Sequence, residues 1–461
     1  MAVIANLLGL AFLMLVAYRG YSVILFAPLA ALLPVLLTHP SQVPEIFTGI
    51  YMEKMVYFVK LYFPLFLLGA VFGKLIELSG FAQSIVSAIV GVMGRGRTVL
   101  TVVLVCALLT YGGVSLFVVV FAVYPFAAEM FRQALIPKRL IPATLALGAF
   151  SFTMDALPGT PQIQNIIPTT FFGTTAWAAP VLGCIGSIFI LTTGVAYLAW
   201  RVRRAAGEGY GTGHIHEPEE VPTTALVHPG MAILPLIAVP ACNLLLGSVI
   251  RGRFGSTSTL VLPGLNSPLI TNVSSIVSVW ALEGALLIGI AMVVVMGYRE
   301  LRFKVAEGSK LAVGGALLAT MNTGSEYGFG AVISALPGFV AVRDTLGTIS
   351  HPLLNASITT TTLAGITGSA SGGLGIALAA MSTRFISMAH TAGIPLEVMH
   401  RVTAMASGGM DDLPHNGAVI TVLAVTGLTH RQSYRDIFAI TILKTIAVFV
   451  VIFVYSLTGL S

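Results

Sequence analysis

The sequence predicts an all-α polytopic membrane protein with two inverted repeats, each containing a re-entrant helical hairpin and a broken transmembrane helix. Three observations predict this fold class. The 461 residues are 56% hydrophobic and only 9% charged, whereas a soluble protein carries about 25% charged residues. Apolar segments of about 20 residues recur, which is the length that spans a bilayer as a helix. A Met-Asp-x-Leu-Pro motif occurs twice, at Met154–Pro158 and at Met410–Pro414.

The apolar segments are uniformly hydrophobic rather than alternating, which favours helices over a membrane β-barrel. The first segment has too little charge ahead of it for a cleaved signal peptide. The chain is therefore expected to cross the lipid bilayer many times. The predicted spans cover residues 2–18, 23–39, 56–78, 139–155, 177–200, 229–250, 277–297, 310–336, 396–410 and 434–458.

Charge and cysteine usage exclude several classes of protein. The formal net charge is +6, and basic cytoplasmic loops explain it better than a nucleic-acid partner. Cys106, Cys184 and Cys242 lie inside apolar runs without paired spacing. Neither a disulfide framework nor a metal site is predicted from them, and no cofactor is expected.

Two further apolar stretches, residues 98–126 and 353–388, predict re-entrant hairpins. Their arms of about 13–15 residues are too short to cross a bilayer alone. The arms flank Tyr111-Gly112-Gly113 in the first stretch and Ser369–Gly373 in the second. Glycines suit a tight backbone reversal that is buried in protein, so both turns are placed at the Gly-Gly pairs.

Several short matches recur in the same order in both halves of the chain. Asp155 and Asp411, for example, are 256 residues apart (411 − 155). Four such matches in register predict a duplication of residues 56–200 and 310–458. The matching pairs are Phe72-Gly73 with Phe329-Gly330, Gly112-Gly113 with Gly372-Gly373, Ile136-Pro137 with Ile394-Pro395, and the two Met-Asp-x-Leu-Pro motifs.

Basic residues in short loops predict the orientation, since Lys and Arg favour the cytoplasmic side. With these loops inside, segment 56–78 runs inward and segment 310–336 runs outward, so the repeats are antiparallel. His214 and His216, in the hydrophilic linker, are interpreted as solvated loop residues rather than a metal site. The predicted division is 1–55 (N-terminal scaffold helices), 56–200 (first repeat), 201–309 (cytoplasmic linker and two connecting helices) and 310–461 (second repeat).

Two aspartates mark the points where helices are expected to break inside the membrane. Asp155 and Asp411 end apolar segments and are followed by Leu-Pro, and proline cannot continue helical hydrogen bonding. Intramembrane acids are costly and usually serve a mechanism, so both are interpreted as carriers of a proton or a cation. The alternative is a helix-end acid or a cap of the next helix. Asp412 and the apolar-segment acid Glu326 complete the predicted proton-coupling set.

The predicted substrate site combines the hairpin turns with polar side chains that follow the breaks. Hydroxyls and amides can bind a polyol or a hydroxy acid without burying a charge, and backbone N–H groups at the turns can face a carboxylate. The alternative is that the small turn residues only allow close helix packing. His415 is equally compatible with sharing a proton, facing the substrate or lying on the surface. The predicted substrate-binding residues are Thr110, Tyr111, Gly112, Gly113, Ser115, Gln162, Asn165, Ser369, Ser371, Gly372, Gly373, His415 and Asn416.

This layout is typical of a secondary transporter, because two equivalent halves of opposite direction give two access states of similar energy. The leading hypothesis is a proton-coupled carrier, with sodium coupling as the alternative. An intramembrane hydrolase that uses Asp155 and Asp411 as a catalytic pair is a hypothesis of another class. An enzyme has no need of access from both faces, so the chain is not expected to be one, and a channel fits the buried acids less well.

The motifs resemble those of the gluconate:proton symporter family, within the ion transporter superfamily of elevator-type carriers. The resemblance rests on Thr110–Ser115, Met154–Asn165, Thr367–Gly375, Gly409–Asn416 and the closing stretch 425–436. It implies a multi-pass symporter of the bacterial inner membrane, a homodimer with scaffold and moving parts. The implied substrate is a small organic anion, such as a gluconate-like sugar acid or a short hydroxy acid of the 3-hydroxybutyrate type.

Overall fold

The structure is a computed structural model that describes residues 2–19, 21–93, 97–211, 227–264, 267–339, 349–414 and 416–461. The predicted all-α polytopic membrane fold is confirmed: nearly all described elements are helices. His214, His216 and His415 lie outside the described residues. Across the described ranges, six helical stretches are long and apolar enough to cross a membrane, namely 40–78, 180–204, 229–254, 273–296, 370–391 and 430–458.

The first half of the chain contains an N-terminal helix pair, a long helix, a helical hairpin and a helix that breaks. Single 3₁₀ turns occupy Pro40–Gln42 and Lys138–Leu140, and a π-helical stretch covers Phe47–Met52. The helices are α1 (Ala2–Tyr18), α2 (Val23–Thr38), α3 (Val43–Ile46), α4 (Glu53–Leu78), α5 (Phe81–Met93), α6 (Thr98–Tyr111), α7 (Leu116–Gln133), α8 (Ile141–Ala149), α9 (Phe152–Asp155), α10 (Ile163–Phe172) and α11 (Pro180–Arg204).

Two long helices and a small β-hairpin connect the halves. Helices α12 (Pro229–Phe254) and α13 (Val273–Met296) pack along each other. Strands β1 (Thr257–Leu260) and β2 (Leu269–Asn272) join them as an antiparallel pair in which Thr257 faces Asn272. This β-hairpin was not predicted from the sequence, although its Thr and Ile content is typical of strands.

The second half repeats the element order of the first. Long helix α15 corresponds to α4, and a hairpin, a broken helix and a long closing helix follow. The elements are α14 (Tyr298–Leu301), α15 (Val305–Ala335), α16 (Pro352–Thr367), α17 (Ala370–Thr391), α18 (Leu396–Ser407), α19 (Gly417–Thr426) and α20 (His430–Thr458).

The packing between the halves is reciprocal. Helix α10 of the first half packs against α18 and α17 of the second, while α19 packs against α8 and α7. The closing helices α11 and α20 also pack together. Gly173 and Gly427 end the corresponding helices α10 and α19 with nearly the same left-handed φ, 66° and 65°, as glycine C-caps commonly do. Such exchange of equivalent contacts is what a pseudo-two-fold arrangement of two repeats produces.

The first helix breaks earlier than predicted. The sequence predicted one span over 139–155 that ends because of Pro158. Instead, α8 already ends at Ala149, so the proline does not cause the break. The Ser151 hydroxyl donates to the carbonyl of Leu147, and the Thr153 hydroxyl donates to that of Gly148 at 2.9 Å. Side chains that bond nearby backbone compete with helical hydrogen bonding. As a result, Asp155 ends the single-turn helix α9, in the broken region between α8 and α10, rather than a membrane span.

The second hairpin turns at a different position from the predicted one. Its turn is Gly368, with φ 66°, and Ser369, whose Oγ accepts from the backbone N–H of Gly372 at 3.1 Å. Gly372 and Gly373 therefore lie in the first turn of α17 and not in the reversal. A Cβ added to Gly373 would come within 2.2 Å of Ala364 backbone, so this glycine allows the two arms to pack closely.

The segments that carry Arg139 and Arg201 meet at Asp436, near the start of α20. The buried Asp436 accepts from Arg139 at 3.5 Å and from Arg201 Nη2 at 3.1 Å. Arg139 also pairs with Glu208 at 3.0 Å. Because Arg139 and Arg201 share one acidic partner, the two segments lie at the same end of the protein.

Helices α2, α4, α13 and α15 form a packed group beside the hairpins and broken helices. Large apolar side chains on its outer helices point away from the protein; Leu25, Leu287 and Val295 are more than half exposed. Apolar side chains on the outside of a helical bundle are favourable in lipid. The inner side of this group, on α4 and α15, forms one wall of the cavity described next.

Candidate functional site

A cavity of about 1050 Å³ lies between the group of α4 and α15 and the broken parts of the two halves. Both hairpin tips and both unwound segments line it. Thus the two sets of repeated motifs, which are far apart in sequence, share one space. Its polar lining residues include Lys74, Glu77, Ser115, Gln162, Gln164, Asn322, Thr323, Glu326, Thr367, Ser369, Ser371, Asp411, Asp412 and Asn416.

Four helices begin at this cavity. The lining includes the first residues of α7, α10, α17 and α19, which are 10 to 22 residues long. The N-terminus of a helix carries unpaired N–H groups and the positive end of the helix dipole. This convergence directs the positive ends of four helix dipoles at the cavity, and at α17 and α19 the side chains of Ser369 and Asn416 already accept from backbone N–H groups. The helix-start residues concerned are Leu116, Ile163, Ala370 and Gly417.

Each unwound segment is tied to the hairpin tip of its own half. Gln162 Nε2 donates to the carbonyl of Thr110 at 2.7 Å, and the Tyr111 hydroxyl donates to the carbonyl of Pro158 at 2.9 Å. In the second half, Asn416 Nδ2 donates to the carbonyl of Gly368 at 2.9 Å. Gln162 and Asn416, which precede α10 and α19, thus each link the unwound segment of their half to its hairpin tip.

A buried cluster of charges forms the wall behind Asp411 and Asp412. Lys444 Nζ, from α20, donates to Asp411 Oδ1 and to Asp412 Oδ2, both at 2.8 Å, and to the carbonyl of Phe150 at 3.0 Å. The Asp155 carboxylate lies beside it, across Gly408. A Cβ built on Gly408 would be 1.9 Å from Asp155 Oδ2 and 3.2 Å from Lys444 Cε. The two motif aspartates are therefore brought together around one lysine.

Arg401 fixes the position of the first unwound segment. It is fully buried, and its guanidinium donates to the carbonyls of Asp155 at 2.9 Å and of Ala178 at 2.8 Å. It also donates to Asn165 Oδ1 at 2.9 Å. These acceptors are all neutral, so the positive charge of Arg401 adds to that of Lys444 beside the acids.

Glu326 lies on the opposite wall, where α15 meets the second hairpin. Its side chain is buried, and Oε2 has no hydrogen-bond partner within the described chain. A Cβ built on Gly372 would be 1.7 Å from that oxygen. A side chain at position 372 would therefore force the Glu326 carboxylate to move from its present position.

The predicted site residues fall into two groups in the structure. Those that line the cavity are Gly113, Ser115, Gln162, Ser369, Ser371, Asn416, Glu326, Asp411 and Asp412. The others do not line the cavity but lie in the structure behind its walls: Thr110, Tyr111, Gly112, Asn165, Gly372, Gly373 and Asp155. Asn165, for example, is fully buried and donates to the carbonyls of Thr160 and Ala176, both at 2.9 Å.

Sequence reasoning missed Lys444 and Arg401. Each had a detectable signal. Lys444 is a lysine in the middle of the apolar segment 437–457, and Arg401 lies in the predicted span 396–410, where charged residues are usually functional or paired. Lys74 and Glu77 form an i,i+3 ion pair at 2.6 Å, and both line the cavity.

Comparisons with known proteins agree with this architecture. No family model matches the chain. It is 55% identical over 471 residues to the uncharacterized transporter YxjC of Bacillus subtilis, with complete coverage of both chains. The chain belongs to the YxjC transporter family. It is therefore a multi-pass membrane transporter and not an enzyme, and the inner membrane is the usual location of such bacterial proteins.

A solved transporter has a related fold. The YdaH transporter of Alcanivorax borkumensis, whose crystal structure reveals an unusual topology, matches with a TM-score of 0.53 over 88% of each chain. At 13% sequence identity, this likeness concerns the fold alone. Membership of the YxjC family identifies the cavity as part of a transport protein.

Proposed function

We propose that this protein is a secondary active transporter that carries a small organic anion together with protons. One observation supports this most strongly: a single cavity is bounded by both hairpin tips, both helix breaks and a buried acid cluster. Carriers of the inverted-repeat type bind substrate and coupling ions at such a junction.

The four helix N-termini favour an anionic substrate. Backbone N–H groups at helix starts bind carboxylates and phosphates without any basic side chain. Lys74 is the one cationic side chain among the described lining residues, and it is paired with Glu77. A carboxylate is therefore expected between the tips, near Ser115 and Ser369, with substrate hydroxyls on the amides of Gln164 and Asn322.

The acids in the walls make binding of an anion dependent on proton binding. Glu326, Asp411 and Asp412 line the cavity, and as carboxylates they repel an anion at short range. Each proton they take up removes one repulsive charge, so anion and proton binding favour each other, and this coupling is reciprocal. Symport follows from that reciprocity, because the loaded state contains both species.

We further propose an elevator-type movement. The hairpins and broken helices form the moving part, while α2, α4, α13 and α15 form the scaffold. A homodimer through the scaffold is expected from the family resemblance. Among substrates, gluconate-like sugar acids and short hydroxy acids such as 3-hydroxybutyrate fit the mixture of polar and apolar lining.

Uptake by proteoliposomes tests the proposal. Labelled sugar acids, hydroxy acids and keto acids should be supplied to vesicles with an inward pH gradient, an inward sodium gradient or neither. Accumulation that collapses when the pH gradient is removed is the expected result. Accumulation driven only by sodium would favour the sodium-coupled alternative, and uptake indifferent to both gradients would exclude coupled transport. A thermal-shift screen of the same acids can first select candidates, since a bound ligand raises apparent stability.

A further inference from the structure

Lys444 occupies a position that resembles a cation-binding site. Its ammonium is bound by two carboxylate oxygens, from Asp411 and Asp412, and by the carbonyl of Phe150. These three ligands come from the unwound segments of both halves. Carboxylates and freed carbonyls at helix breaks are the groups with which carriers coordinate alkali cations.

We propose that the Lys444 ammonium takes the place of a sodium ion in this site, so that the protein is coupled to protons and its sodium site is latent. This inference rests on the proposed function, since it assigns the coupling ion of the same site. Removal of the lysine side chain would leave Asp411, Asp412 and the Phe150 carbonyl free to bind Na⁺. Lys444 is thus a specificity-determining residue for the ion.

The balance of buried charge leaves room for one further monovalent cation. Asp155, Asp411 and Asp412 face Lys444 and Arg401, so three negative charges meet two positive ones. Asp155 has no ion-pair partner in the parts of the chain that the structure describes. An uncompensated buried charge is strongly unfavourable. A proton bound to one of the three carboxylates would neutralise the remaining negative charge without displacing the Lys444 ammonium.

An unpaired carboxylate oxygen of Asp412 also indicates that a further proton or cation binds in this cluster. Asp412 Oδ1 is buried and lacks a hydrogen-bond partner within the described residues. Two nearby groups among the described residues are engaged elsewhere: the Tyr434 hydroxyl donates to the backbone carbonyl of Asp412, and Arg401 donates to Asn165 and to backbone carbonyls. Glu326 faces the cavity from the other wall and is itself acidic. An orphaned carboxylate oxygen is satisfied when a proton or a cation binds it.

Thermal unfolding in detergent tests the proposal without any knowledge of the substrate. The purified protein is titrated with NaCl against KCl and choline chloride at constant ionic strength and at a pH near 8. The wild type is expected to unfold at the same temperature in all three salts. Lys444→Ala is expected to show a saturable stabilisation by Na⁺ alone. At a concentration about 100-fold above Kd, the folding equilibrium constant rises about 100-fold.

Matched variants complete the design. Lys444→Arg keeps the positive charge and should not respond to Na⁺. Asp411→Asn with Lys444→Ala restores the charge balance, so it should fold even where the single variant does not, and it should retain some Na⁺ response through Asp412. Replacing both carboxylates, with Asp411→Asn and Asp412→Asn added to Lys444→Ala, should remove the response.

Two results would overturn the inference. One is Na⁺-specific stabilisation of the wild type, which means that Lys444 does not take the place of the ion. The other is a folded Lys444→Ala or double variant that responds equally to Na⁺ and K⁺. Neither result depends on transport. If no organic acid is accumulated by the wild type, the proposed function fails while the ion measurement still stands.

Discussion

Asn416 donates a hydrogen bond from Nδ2 to the carbonyl of Gly368, 2.9 Å away, and joins the second helix break to the tip of the second hairpin. Its Oδ1 accepts from the backbone N–H groups of Ala418 and Val419, at 2.6 and 2.9 Å, so the same side chain also caps α19. Gln162 and Thr110 make the equivalent link in the first half. Each hairpin and its helix break are therefore expected to move as one body.

Asn416→Ala should destabilise the protein and impair transport. Loss of a helix cap costs about 0.5–2 kcal/mol, and loss of a buried hydrogen bond costs about 1 kcal/mol. Asn416→Asp separates the two effects, because it keeps the cap acceptor but loses the donor to Gly368. We expect Asp to recover most of the thermal stability and little of the uptake rate. Equal recovery of both would show that the link between the segment and the hairpin has no role in transport.

Asp155→Asn should abolish accumulation that is driven by a pH gradient. The carboxylate lies in the charge cluster without an ion-pair partner among the described side chains, so its replacement removes the group that is best placed to hold a proton. We expect at least a tenfold fall in driven uptake, with exchange of labelled for unlabelled substrate preserved. Glu397→Gln, at an exposed acid in the first turn of α18, is the matched control. Normal driven uptake by Asp155→Asn would remove this residue from the coupling mechanism.

Gly372→Ala should force the Glu326 carboxylate out of its position against the second hairpin. The added methyl would meet Glu326 Oε2 at 1.7 Å, whereas Gly314→Ala on α15 would meet nothing within 4 Å. The first change should lower the unfolding temperature and the uptake rate; the second should be neutral or slightly stabilising, since alanine favours helices. Combining Gly372→Ala with Glu326→Ala should restore thermal stability, because the clashing carboxylate is gone. An unrestored double variant would mean that another contact limits the hairpin.

Arg401→Lys should destabilise the protein although it keeps the charge. A lysine has a single ammonium group and cannot donate at the same time to the hydrogen-bond acceptors of Asp155, Asn165 and Ala178, as the planar guanidinium does. Each buried carbonyl left without a donor costs about 1–3 kcal/mol. Arg132→Lys, on an exposed stretch of α7, provides the control. The measurement is the thermal unfolding midpoint of each variant in detergent, and equal midpoints would contradict the positioning role of Arg401.

Much of the fold could be predicted because its signals are local. Hydropathy places the spans of α11, α12, α13 and α20 within a few residues of their observed ends. The duplication could be read from the two Met-Asp-x-Leu-Pro motifs, and the first hairpin from Gly112-Gly113. Predictions were less accurate where side chains redirect the backbone, as at Ser151 and at Gly368. There the deciding hydrogen bonds come from hydroxyls whose choice of partner the sequence leaves open.

The candidate site was predicted only in part, for a different reason. The positions that line the cavity could be found as polar or small residues beside turns and prolines. The role of Asn165 as a support for Arg401, and of Gly373 as a contact between helices, depends on neighbours that the sequence does not specify. Tertiary packing decides which side of a polar segment faces the cavity.

The sequence by itself determined that the chain spans a membrane, that its two halves are a duplication, and that acidic residues lie where its helices break. Segment length, hydropathy and proline each act on a few neighbouring residues, so their effects can be read locally. Only the tertiary structure decided that those acids meet. Lys444 is 33 residues from Asp411, and Arg401 is 246 residues from Asp155. Charges so far apart in the sequence pair in the folded protein because an unpaired charge in the low-dielectric interior is energetically very unfavourable.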